Sequence, residues 1–127
     1  MLGRAVTGAL ILALASCSES TAPNGILTGA WYAGSGLPSG AYTLLRLRHT
    51  NTVITGTVTD YWGPESTVAD QGTVTGTYAD SVIELRLQYR TAGTVDFGGL
   101  LVGSDTLRGS ETVGRTATVV NFIRQSP

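Results

Sequence analysis

The chain predicts an all-β fold: a single antiparallel up-and-down β-barrel of about eight strands. Three observations carry this. From Ile26 onward apolar and polar residues alternate with a period of two, threonine, valine and glycine dominate, and no stretch of helical length shows an apolar stripe. Clusters of turn residues part the alternating runs, at His49-Thr50-Asn51, Ala79-Asp80-Ser81 and Gly103-Ser104-Asp105.

The strands fall at 26–33, 41–49, 53–60, 72–78, 82–89, 95–102, 106–111 and 117–124. In the third, Ile54, Gly56 and Val58 oppose Thr55, Thr57 and Thr59. In the fifth, Ile83, Leu85, Leu87 and Tyr89 oppose Val82, Glu84, Arg86 and Gln88. Such strands belong to a sheet that is wet on one side. An echo runs through Leu27-Thr28-Gly29-Ala30, Ile54-Thr55-Gly56-Thr57 and Val74-Thr75-Gly76-Thr77, at unequal spacings that exclude a solenoid. Glycines in mid-strand, with Gly99 and Gly109 added, allow the sharp coiling of a closed barrel, and closure removes sticky edges; a barrel is therefore favoured over a sandwich. The inward glycines Gly29, Gly56, Gly76 and Gly99 are expected to thin the wall and leave interior space. The inward aromatics Trp31, Tyr78, Tyr89 and Phe97, joined by Phe122, either line a ligand cavity or fill it, and the two outcomes stand level.

Ahead of the barrel stand a short basic start, Met1-Leu2-Gly3-Arg4, an apolar run from Ala5 to Ala15, and Leu14-Ala15-Ser16-Cys17. This resembles a bacterial lipoprotein signal peptide. The resemblance implies a signal over 1–16, cleavage between Ser16 and Cys17, and diacylglycerol on the Cys17 sulfur. A membrane span needs about 20 apolar residues, more than this run supplies. A plain secretory signal would leave Cys17, the only cysteine, as a free thiol in an oxidising compartment. Residues 17–25 then form the lipidated Cys and a polar linker, and 26–127 the barrel domain. Ser18 follows the cysteine, and under the sorting rule of enteric bacteria a residue other than Asp there implies the outer membrane of the cell envelope.

Removal of the signal leaves seven arginines against nine acids, with no lysine anywhere. The cations are scattered singly, so no stripe for nucleic acid or anionic lipid exists. A lone cysteine gives neither disulfide nor thiolate metal site. No cofactor and no metal is expected. His49, the only histidine, reads as a solvated turn residue ahead of a general base, because no nucleophile motif accompanies it. Asp60, Glu65 and Asp70 share a long loop over 61–71 and its edge with Tyr61 and Trp62. That grouping suits a wet loop with Trp62 folded over the barrel mouth better than a grip on a sugar or Ca²⁺.

Gly29-Ala30-Trp31 on the first strand, with Arg124 on the last, resembles the calycins: lipocalins, avidins and fatty-acid-binding proteins. In these a Gly-x-Trp tryptophan packs beneath an arginine of the final strand. The resemblance implies that Gly29, Trp31 and Arg124 close one mouth of the barrel, by cation–π attraction and by guanidinium donors on strand-end carbonyls. It supplies no match to the biotin contacts of avidin.

Two functions follow as expectations. One is a membrane-anchored lipoprotein that binds a small apolar ligand or lipid, lined by Trp31, Tyr78, Tyr89 and Phe97. The alternative is a structural or interaction lipoprotein with a filled barrel that binds another envelope protein. Catalysis is not expected.

Overall fold

The computed structural model describes residues 25–34, 41–63 and 65–125. The signal segment, Ser16, Cys17 and the linker up to residue 24 lie outside the described residues. The eight strands are β1 (Gly29–Gly34), β2 (Tyr42–Thr50), β3 (Val53–Trp62), β4 (Thr67–Ala79), β5 (Val82–Tyr89), β6 (Thr94–Val102), β7 (Thr106–Val113) and β8 (Thr116–Arg124). Each pairs antiparallel with the next, and β8 returns to β1, closing the barrel.

Alternation on each strand decides which side chains go inward. Leu45, Leu47 and His49 point in from β2, Ile54 and Val58 from β3, Ile83, Leu85 and Leu87 from β5, and Phe97 from β6. The outward rows of β2, β3 and β4 carry Arg46, Arg48 and threonines, as in the pairs Thr55↔Thr75 and Thr57↔Thr73. On these three strands an apolar inner row and a polar outer row are the reverse of the pattern in a strand that faces lipid.

The element boundaries depart most from the sequence expectation in two places. β1 starts at Gly29 rather than Ile26, because 25–28 form a turn in which the Thr28 N–H donates to the Gly25 carbonyl at 3.0 Å. The expected loop over 61–71 is mostly strand. β3 runs to Trp62 and β4 begins at Thr67, with a bulge between Asp60 and Tyr61 that absorbs the register shift. The polar run Thr67-Val68-Ala69-Asp70 hides a strand because it alternates too weakly to announce one. The β4–β5 connection is a two-residue turn, Asp80-Ser81, with φ of 53° and 69°. Positive φ at both central residues is the hairpin geometry that matches strand twist.

The glycines do not leave interior space. A Cβ on Gly56 would stand 2.0 Å from the Arg46 carbonyl oxygen, on Gly76 2.1 Å from that of Glu84, and on Gly99 2.3 Å from that of Arg108. The neighbouring strand's backbone already occupies the place of a side chain. These glycines mark where the sheet coils hard enough for adjacent strands to press together. The interior is filled instead by Trp31, Leu45, Ile54, Val58, Ile83, Leu87, Leu107 and Phe122, all 0 % exposed. At this level of the barrel the inward positions are thus taken by side chains that solvent does not reach.

Candidate functional site

Chain direction gives the barrel two unlike ends. The end where the chain enters carries Gly25, the turns at 51–52, 80–81 and 103–105, and the last residues of β8. Here Trp31 stands opposite Arg124 in the β1–β8 register, and the guanidinium carbon lies 4.2 Å from the indole centroid. Arg124 Nε donates to the Ser104 carbonyl at 3.0 Å, Nη1 to that of Thr28 at 2.9 Å, and Nη2 to that of Ile26. Gly29 adopts a φ of 140° beside Nη1, an approach that a side chain would crowd. One fork thus ties three chain segments where only two register pairs join β1 to β8. Below it, Trp31 Nε1 donates to the Leu27 carbonyl at 3.0 Å, which satisfies the indole in a dry core.

His49 is not a solvated turn residue. It is 4 % exposed and plugs this end, edge-on to Tyr78 with ring centroids 5.3 Å apart. The Leu27 N–H points to Nδ1 at 3.4 Å, so Nε2 carries the hydrogen and donates to the Asn51 carbonyl at 2.7 Å. The Gly25 N–H donates to the His49 carbonyl at 2.7 Å, and a Cβ on Gly25 would collide with the imidazole. The histidine thereby stitches the entering chain to β2.

The opposite end is polar inside. Thr43 and Asp60 face each other across β2 and β3, and the Thr43 hydroxyl donates to Asp60 Oδ1 at 2.8 Å. Tyr89 reaches over Gly72 from β5 and donates to the same oxygen at 2.9 Å. Burial, then the Asp60 charge and the hydrogen bond to it, push the Tyr89 hydroxyl far above its usual value, so it remains a neutral donor. Glu111, inward on β7, has its carboxyl pushed up by burial and by the Asp60 charge. Thr43, Asp60 and Glu111 floor a cavity of about 380 Å³ whose walls include Ala33, Tyr42, Tyr61, Trp62 and Val120. Tyr42 and Tyr61 stack with centroids 4.8 Å apart, and Trp62 is 63 % exposed at the rim.

The expected lining aromatics therefore part company. Trp31 and Phe97 are core, the latter edge-on to Phe122 at 5.4 Å; Tyr78 packs on His49; only Tyr89 reaches the mouth. Asp60 and Asp70 stand opposite each other in the β3–β4 register, but the three acids bind different partners. Asp60 turns inward, Glu65 is exposed, and Asp70 accepts from the backbone N–H groups of Gln71, Thr91 and Ala92. Burial pushes the Asp70 carboxyl up, but these backbone donors outweigh it and hold the group below its usual range. Among the described residues no group of three or more His, Cys, Asp or Glu is placed to hold a metal ion. Thr43, Tyr42 and Glu111 belong to the mouth without having been singled out in the sequence. The signal for Glu111 was its parity: it shares the inward face of β7 with Leu107 and Gly109.

Comparison with protein-family models, with characterised proteins and with solved structures finds no match for this chain.

Proposed function

We propose that this protein is a lipid-anchored envelope module with a calycin-like barrel, filled rather than hollow, that acts without catalysis by binding another envelope protein at its mouth. The filled interior carries the reading. A carrier of apolar ligands encloses a cavity of some hundreds of cubic ångströms, whereas Trp31, Leu45, Ile54, Leu87 and Phe122 belong to one cluster of fully buried side chains across the barrel. What the barrel offers to a partner is its open end. Trp62 and the Tyr42–Tyr61 stack supply rigid amphipathic surface there, with Asp60 and Glu111 behind them. The Arg124–Trp31 stack supports the calycin-like closure.

The mouth cavity favours a second reading, in which a small polar ligand sits on the tyrosine stack and hydrogen-bonds to Asp60. An apolar ligand deep in the barrel loses its support, because the glycines expected to make room for it are filled by neighbouring backbone.

Two measurements test the proposal. Cys17→Ser in a bacterial host is expected to lose labelling by palmitate and to leave the membrane fraction; unchanged labelling overturns the anchor. A photo-reactive residue in place of Trp62 is expected to yield a discrete adduct in intact cells that the same residue at Thr57, on the threonine wall, does not. Identical behaviour at the two positions overturns mouth-end recognition.

A further inference from the structure

The outer wall is not uniform. Along β2, β3 and β4 it is mostly threonine and arginine, with Val53 exposed alone at the entry end, but across β5, β6, β7, β8 and β1 several aliphatic side chains adjoin near the end where the chain enters. Val82 pairs with Leu100. One row further, Val102, Thr106, Ile123 and Tyr32 follow each other across four strands in register. All alternate with inward residues, so they share the outer face, where cross-strand neighbours lie within contact of each other. Leu100 is 51 % exposed, and Val82, Val102, Ile123 and Tyr32 are exposed as well. Exposed Ile26, beside Leu101 and Arg124, extends the patch to the entry point of the chain.

We propose that this aliphatic wall rests on the membrane surface that holds the lipid anchor; the inference rests on the lipid-anchor reading. The length of chain outside the barrel argues for that occupant. Cys17 is followed by residues 18–25, which at about 3.3 Å per extended residue hold the entry end within about 26 Å of the bilayer. The patch thus adjoins the end of the barrel that the tether holds nearest the lipid. Charge argues the same way. Asp80, Glu84 and Asp105 near this end are matched by Arg48, Arg108 and Arg124, and Arg124 is already bonded to three carbonyls. Contact is therefore made by aliphatic side chains entering the headgroup boundary, not by attraction to anionic lipid. The barrel then lies with its entry end and one wall toward the membrane, and its mouth, with Trp62, points away.

The sole natural cysteine makes the test clean, because a lipidated Cys17 leaves an engineered cysteine as the only free thiol. Leu100→Cys and Thr57→Cys chains, purified with their lipid and carrying a nitroxide, are placed in phosphatidylcholine vesicles. Collision with oxygen, which concentrates in lipid, is compared with collision with a water-soluble nickel chelate. The oxygen-to-nickel ratio is expected to be several-fold higher at residue 100 than at residue 57, and unchanged by high salt. Equal ratios, in protein whose intact mass shows the acyl chains, overturn the membrane-facing wall alone. A mass without acyl chains overturns the anchor and this proposal together. Spin–spin broadening at residue 100 that vanishes on dilution with unlabelled protein assigns the wall to a second copy and also overturns it.

Discussion

Glu111 shows how one residue records the conflict between a packed barrel and a polar mouth. Its carboxyl is held partly out of water and close to the negative charge of Asp60, so the fold prefers it protonated. A group whose folded pKa lies above its unfolded value contributes stability that is complete below the unfolded pKa and is lost as pH rises through the folded one. Glu111→Gln removes that loss. The variant is expected to melt above the parent at neutral pH, with the gap closing as pH falls below the ordinary glutamate range, followed by thermal denaturation across pH. A variant that melts at or below the parent at neutral pH contradicts this placement of Glu111. Thr43 and Tyr89 both donate to one Asp60 oxygen, which holds that side chain inside the mouth.

Strands β3, β4, β6 and β7 owe their coiling to glycines that let a neighbouring carbonyl sit where a side chain would. Gly76→Ala places a methyl 2.1 Å from the Glu84 oxygen, and the strands must separate to admit it. Overpacking of this kind typically costs about 1–3 kcal/mol, a fall of roughly 4–8 °C in melting temperature per kcal/mol for a domain near this size; an unchanged midpoint means that the wall can relax freely. The β1–β8 seam makes a second test. Arg124→Lys keeps the charge and loses the planar fork, so a loss of about 1.5–3 kcal/mol is expected in denaturant unfolding. Full stability in the lysine variant would show that the three carbonyls are held by other means. The strands themselves were legible because alternation is a local property: Ile83 to Tyr89 announces its two faces without any knowledge of its neighbours. Thr67 to Asp70 was not legible, since a polar stretch at the sheet's end pairs only because β3 continues beside it. The inward direction of the glycines could be read from parity. That their inner space was already taken could not, because it depends on how closely two strands approach. His49 sat beside turn residues in the sequence, and its burial follows from Gly25 and Leu27, which come back to it from far along the chain. At the mouth, Asp60 and Tyr61 stood out as neighbours of aromatics, whereas Glu111 joins them only once the barrel closes.

As a whole the molecule divides its labour by end and by wall. The entry end is locked by Arg124, Trp31 and His49, the middle is packed aliphatic and aromatic core, and polar groups inside the barrel collect at the mouth. With the proposed tether at Cys17 and the proposed resting wall, such a barrel would hold its mouth away from the bilayer and keep nothing inside. That central claim is tested most directly by native mass spectrometry of the lipidated chain together with titration by an environment-sensitive apolar dye. The expected result is a protein mass with its own acyl chains and no further bound species, and no saturable dye signal at one per barrel. A copurified lipid released on unfolding, or a dye site of micromolar affinity, about −8 kcal/mol of binding free energy, would show that the barrel opens to hold a ligand and would contradict it.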